Sequence, residues 1–122
     1  MLNHDEILLL QKAYVETAST WGNCVIDGNH KTANRMNRGL IRLRNKINRN
    51  SDLATEVLLP LLDHNDPAVR LSAATDMLQI GISQEKAELT LFNLSNNPNI
   101  HVLQLMAKIN LSMWEEKKEI KT

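Results

Sequence analysis

The side chains with the clearest capacity for chemistry are six cations spaced by three or four residues in one segment: Lys31, Arg35, Arg38, Arg42, Lys46 and Arg49. On an α-helix this spacing gathers them into one stripe, here called the basic stripe, opposite an apolar stripe through Met36, Leu40 and Leu43. Like charges four residues apart disfavour a helix by roughly 0.2–0.5 kcal/mol per pair. The pattern therefore predicts an external anionic group that screens these cations.

The basic stripe has three interpretations: a solvated helix face, a docking surface for an acidic patch on a protein, and a nucleic-acid groove. Arginine favours the second, because it binds carboxylates in a bidentate manner. The chain has 14 Lys plus Arg and 14 Asp plus Glu, yet residues 31–50 alone carry seven bases and no acid. The zero net charge, and the lack of aromatic residues among the cations, disfavour direct nucleic-acid binding.

Candidates for catalysis are few. No two histidines have the spacing that places two ligands on one helix face, and Cys24 has no base close to it in the sequence. Glycine-rich phosphate loops and the Gly-x-Ser-x-Gly elbow are also absent from the sequence. We therefore expect a protein that is not an enzyme and that uses no metal ion or cofactor.

Composition and length set the architecture that must position the basic stripe. The 122 residues fit one domain, 1–122, and 43% of them are hydrophobic but only 3% aromatic. Leucine, isoleucine, alanine and methionine dominate and favour helix, so an all-α fold is predicted. A single cysteine and the lack of a long apolar run predict a cytoplasmic protein with no membrane partner.

Apolar periodicity and capping signals predict six helices. Asp66 is the expected N-cap of the fourth helix, with Pro67 at its first position. The predicted spans are 5–26, 30–47, 52–62, 67–80, 84–95 and 99–118. A shift of 31 residues superimposes Asp66-Pro67 on Asn97-Pro98, which favours three stacked helical hairpins in a HEAT-like α-solenoid. Two hairpins that resemble each other by chance within a bundle are the alternative.

The fourth helix presents two kinds of residue. Arg70 falls on its inward side and is expected to bond to Asp63 or Asp66 as a structural clamp. Arg44, at the edge of the apolar side of the second helix, is expected to pack inward or meet a carboxylate within the fold. Four polar residues should face outward and, together with Arg35, Arg38 and Arg42, are the predicted partner-binding residues: Ser72, Thr75, Asp76 and Gln79. Carboxylates such as Asp76, Glu85 and Glu88 are the alternative, for a partner with a basic surface.

The last helix is apolar around more than half of its circumference, with Trp114 in its main stripe as a structural residue. The excess predicts that the chain's tail, a second copy or a partner covers this helix. A homodimer through the last helix is one such arrangement. A central place in the bundle is the alternative.

The segment from Leu58 to Thr75 resembles the Asp-x-x-Val-Arg core of HEAT-type repeats. More narrowly, residues 14–116 are similar to a small bacterial HEAT-like family, through Trp21, Gly28 with Ala33-Asn34, residues 61–74, and Leu111 with Trp114. The chain departs from this pattern at Ser72, where a bulky aromatic is frequent, and at Asn97-Pro98-Asn99.

Members of this family are associated with polymorphic toxin and contact-dependent growth inhibition loci. There they act as immunity proteins that bind and block a cognate toxin domain, often a nuclease. The resemblance therefore implies a stoichiometric inhibitor in the cytoplasm. A nucleic-acid-associated regulator, or a general protein-interaction scaffold that uses the second helix, is the alternative.

Overall fold

The computed structural model describes residues 2–121, and all regular structure in this range is helical. The all-α prediction is therefore confirmed. The six α-helices are α1 (His4–Asp27), α2 (His30–Ile47), α3 (Ser51–Leu58), α4 (Pro67–Ile80), α5 (Gln84–Ser95) and α6 (Val102–Lys121). Two short 3-10 helices, Leu59–Asp63 and Pro98–Ile100, precede α4 and α6.

Most helix boundaries follow from local capping chemistry. The Asp66 carboxylate accepts a hydrogen bond from the backbone N–H of Ala68 at 2.9 Å, and Pro67 occupies the first turn of α4, as predicted. Gly28 and Gly81 end α1 and α4 with φ values of 77° and 91°, a left-handed conformation that residues with a Cβ adopt at a cost.

The predicted boundaries of two helices are wrong at the end where a proline lies. The span 52–62 is α-helical only to Leu58 and continues as a 3-10 helix, because Pro60 has no N–H to extend the α-helical ladder. Similarly, Pro98 begins a 3-10 turn instead of α6. His101 then takes φ 57°, and α6 starts at Val102.

Helix α4 lies at the centre of the molecule, where it packs against α1, α5, α6 and the first 3-10 helix. Its buried residues surround its whole axis: Ala68, Val69, Leu71, Ala73, Ala74, Asp76, Met77 and Leu78. The crossing of α1 over α4 is close, since a Cβ added at Gly22 would lie 2.3 Å from the Cβ of Ala68. Helix α2 rests mainly along α1, with a smaller contact to α3.

The two segments related by the shift of 31 residues differ in environment. Leu58 and Leu61 are buried, whereas their counterparts Leu89 and Phe92 on α5 are more than half exposed. The sequence repeat therefore does not give the two apolar pairs equivalent places in the core.

Helix α6 packs chiefly on α5, with smaller contacts to α4 and α1, and one of its sides is open to solvent, which does not fit the alternative of a central place in the bundle. A stripe of large apolar side chains on it faces solvent: Val102, Leu105, Ile109 and Met113. No helix in residues 2–121 combines the length and the hydropathy needed to span a membrane.

Candidate functional site

The basic stripe lies along the solvent side of α2, and all six of its cations are exposed. Arg49 at its end pairs with Glu6 of α1. The other five form no ion pair with a carboxylate anywhere in residues 2–121. Helix α2 thus presents a row of unneutralised charge that no internal contact explains.

A groove of about 320 Å³ opens beside α2 and is bounded by α1, α4 and α6. All four polar residues predicted on the outward side of α4 line it: Ser72, Thr75, Asp76 and Gln79. Arg35, Arg38 and Arg42 do not line it, because they face away from α4. The seven predicted partner-binding residues therefore form two adjacent surfaces, the basic stripe and this groove.

Asp76 is buried at the floor of the groove with a relative exposure of 7%, so its prediction as an exposed residue is wrong. Its carboxylate accepts a hydrogen bond from the Tyr14 hydroxyl at 2.6 Å and one from Arg44 at 3.1 Å. Arg44 also donates to the side-chain oxygen of Gln79 at 2.6 Å. Arg44 thus meets a carboxylate within the fold, as expected. The hydrogen bonds among Tyr14, Asp76, Arg44 and Gln79 form a network that joins α1, α2 and α4.

The protonation chemistry of this network is governed by burial. Desolvation raises the pKa of Asp76 more than the Tyr14 hydrogen bond and the Arg44 charge lower it. Burial, with the Asp76 carboxylate nearby, raises the pKa of Tyr14 well above its usual value, so the phenol keeps its proton at neutral pH. Since that proton goes to Asp76, the Ser72 hydroxyl 2.9 Å away donates to the Tyr14 oxygen.

The groove continues along α6 into a second depression of about 180 Å³, which shares Thr75, Gln79 and Asn110 with it. Asn110 donates a side-chain N–H to Thr75 at 3.1 Å, and the Thr75 hydroxyl donates to the carbonyl of Leu71 at 2.8 Å. These bonds fix the side chains at the junction of the two depressions.

Arg70 is half-buried as expected, but its predicted partners are wrong. It donates to the backbone carbonyls of His64 at 2.7 Å and Asn65 at 3.0 Å. Asp66 instead caps α4 and accepts from Ser19 at 2.6 Å, while Asp63 lies 3.7 Å from Lys86. Arg70 therefore clamps the turn before α4 through backbone carbonyls.

Trp114 joins α6 to α5. Its indole N–H donates to Glu88 at 3.0 Å, and Lys118 lies 3.1 Å from the same carboxylate and 5.9 Å from the ring centroid. The Trp114 hydrogen bond and the Lys118 contact together outweigh the opposing effect of partial burial and lower the pKa of Glu88. Trp114 and Lys118 thus connect α6 to the Glu88 side chain of α5.

The groove is also lined by residues for which the sequence indicated no site role, among them Trp21, Asn37 and Asn110. Asn37 and Arg44 are seven residues apart, and thus on one side of α2, and Asn110 interrupts the apolar face of α6. Those spacings can be read from the sequence, but the proximity of α1, α2 and α6 around the groove cannot. In residues 2–121 no three His, Cys, Asp or Glu side chains are grouped as ligands for a metal ion.

No protein-family model matches the chain, and no curated protein or solved structure is detectably similar to it.

Proposed function

We propose that the protein is an immunity protein, which binds a cognate toxin domain with one-to-one stoichiometry and blocks it in the cytoplasm. The observation that carries the proposal is the row of five exposed cations on α2 without carboxylate partners in the described chain. The family resemblance of residues 14–116 supports the choice of a toxin as partner, and a HEAT-like solenoid stacking of the helices is part of the same proposal.

The basic stripe suits an acidic protein surface. Arginine side chains form bidentate hydrogen bonds with carboxylates, and opposite charges on two proteins speed their encounter. Nucleases that use magnesium hold the ion with carboxylates. A helix that carries Arg35, Arg38 and Arg42 in a row is complementary to such an active site and would occlude it from substrate.

Capture of the tagged protein from its native cells, after nuclease treatment, tests the proposal. The expected result is a discrete polypeptide with toxic activity that elutes at close to one copy per copy of this protein and stays bound in high salt. Elution of no stoichiometric protein contradicts the proposal.

The role of the basic stripe is tested with Arg35→Glu, Arg38→Glu and Arg42→Glu in one variant. Reversal of three charges against an acidic surface costs several kcal/mol, so we expect loss of both binding and protection of cells. Lys12→Glu with Lys108→Glu is the control, because these exposed lysines lie on α1 and α6, away from the stripe. Unchanged protection in the triple variant would rule out the basic stripe as the binding surface.

A nucleic-acid-associated regulator is the second candidate, and the same five cations favour it. Its binding would weaken steeply with salt, with a log-log slope of roughly 0.7–0.9 per phosphate contacted. In the capture experiment, nucleic acid would then appear only when the nuclease treatment is omitted.

A further inference from the structure

The groove has the dimensions of a site for a short piece of polypeptide. Its volume of about 320 Å³ lies at the lower end of the range for ligand pockets, roughly 300–1,000 Å³. The second depression extends it along α6 toward Met113 and Lys117. The groove and the second depression, together called the trough, are lined on α6 by residues from Met106 to Lys117, which fits a single extended strand of chain better than a folded surface.

Three side-chain amides on three helices leave hydrogen-bonding groups open in the trough. Gln79 uses its oxygen to accept from Arg44, so its NH₂ group remains available. Asn110 uses its NH₂ group toward Thr75, so its oxygen remains available. Asn37 has no side-chain hydrogen bond within residues 2–121. This mixture of donors and acceptors matches a peptide main chain, which offers one of each per residue.

Charge in the trough favours a carboxylate on the occupant. Arg44 uses one guanidinium nitrogen for both of its bonds, and its side chain is still 26% exposed. Lys117 adds a second cation at the far end. Asp76 is the only carboxylate among the described residues that line the two depressions, so one positive charge is left in excess of the Arg44–Asp76 pair. The acidic residues Glu85 and Glu115 line a different depression, between α5 and α6.

Apolar groups also line the trough. Trp21, Ile41 and Met106 come from α1, α2 and α6. Ile41 is 39% exposed, although it is a large hydrophobic residue. Aromatic, aliphatic and thioether side chains beside hydrogen-bonding groups are the usual composition of a recognition pocket.

We infer that the trough binds an extended acidic peptide segment of a protein partner, with a carboxylate on Arg44 and the main chain on the amides of Asn37, Gln79 and Asn110. As an account of how the toxin is held, this inference rests on the proposed function. Occupancy of the trough itself is measured without any toxin.

The test is NMR of the ¹⁵N-labelled protein with a mixture of blocked octapeptides. Each peptide carries one Asp or Glu among Ala, Ser, Leu and Val, and a second mixture has Lys in place of the acid. The acidic mixture is expected to shift the side-chain signals of Trp21, Asn37, Gln79 and Asn110, and the Lys mixture to leave them in place. Unmoved signals at millimolar peptide, or equal shifts with both mixtures, overturn the inference.

Two matched variants locate the binding. Asn37→Asp places a negative charge in the trough. It is expected to lower the affinity for the acidic peptides by at least about tenfold, because like charges repel. Asn34→Asp makes the same change at an exposed position of α2 that does not line the trough, and should alter affinity less than twofold. Equal effects of the two variants overturn the inference.

Different results overturn the trough as a peptide site and the protein's assignment as an immunity protein. Peptide binding without a captured toxin overturns the immunity assignment and supports the trough. A captured toxin whose binding is insensitive to Asn37→Asp overturns the trough as its binding site and leaves the immunity assignment standing. A single-stranded octanucleotide that shifts the Trp21 and Asn37 signals, where the peptides do not, also overturns the inference.

Discussion

Asp76 holds three helices together from a position that water scarcely reaches. Tyr14 of α1 and Arg44 of α2 both donate hydrogen bonds to this carboxylate on α4. A buried charge is tolerated only when its partners satisfy it, so removal of one partner leaves a desolvated group without compensation. Loss of one of these hydrogen-bond donors is therefore expected to destabilise the floor of the groove.

The first prediction concerns the Tyr14 hydroxyl. Tyr14→Phe removes the donor to Asp76 and should lower the free energy of unfolding by about 1–3 kcal/mol, as measured by urea denaturation. In a double-mutant cycle with Asp76→Ala, the two effects should be less than additive, because both substitutions remove the same bond. Strict additivity would show that the bond contributes nothing to stability.

The second prediction concerns pH. The pKa of Asp76 is raised in the folded protein, so between its unfolded and folded pKa values the native state binds more protons than the unfolded state. The stability contributed by this group is therefore lost as pH rises through that interval. The difference in free energy of unfolding between the wild type and Asp76→Asn should shift in favour of the wild type as pH falls from 7 toward 4. A difference independent of pH would contradict the raised pKa.

A helical wheel predicted the position of Arg44 but not that of Asp76. Arg44 lies at the edge of an amphipathic helix, where a wheel separates core from solvent. Asp76 lies on α4, whose buried residues surround the axis, and no wheel distinguishes its sides. The hydrogen-bond partners of Asp76, Tyr14 and Arg44, are 62 and 32 residues away in the chain, so no local pattern indicates them.

At the scale of elements, helices α1 and α4 approach each other closely at Gly22. An added methyl group there would meet the Cβ of Ala68 at 2.3 Å, within a contact between two helix backbones that cannot move apart freely. Gly39 of α2 is a contrasting case, because its added Cβ would lie 3.4 Å from the Thr17 methyl group.

The third prediction compares these two helical glycines. Gly22→Ala should destabilise the protein, since overpacking costs about 1–3 kcal/mol and outweighs the gain in helix propensity. Gly39→Ala should be neutral or stabilising by up to about 1 kcal/mol, because the propensity gain then dominates. Chemical denaturation of both variants gives the comparison. Equal changes in the two would contradict the close α1–α4 contact.

Helix boundaries were predictable where one residue decides them. Asp66 with Pro67 starts α4 and Gly81 ends it, because capping and left-handed backbone are local requirements. The ends at Pro60 and Pro98 were less predictable. Proline excludes the α-helical hydrogen bond there, but whether the chain then forms a 3-10 turn depends on the packing around it.

At the scale of the whole molecule, charge is separated although its total is zero. Residues 31–50 hold seven of the 14 basic residues and none of the acids. Such a distribution creates a strong local field that favours a partner of the opposite sign. Repulsion between its like charges also destabilises the helix that carries them.

The fourth prediction is that the basic stripe reduces stability. Arg35→Gln with Arg38→Gln and Arg42→Gln should raise the free energy of unfolding by about 1 kcal/mol at low salt, because several repulsive pairs are removed. The gain should shrink as added salt screens the charges. The control Lys12→Gln should change little. A destabilised triple variant would indicate that the stripe takes part in the fold.

The placement of α2 has a consequence for the order in which the protein opens. This helix packs chiefly on α1 and is held to α4 by the polar bonds of Arg44, so it buries less against the core than α4 does. Its amide hydrogens should therefore exchange with solvent through a partial opening, well before those of α4. A partner bound to the basic stripe would slow exchange in α2 first.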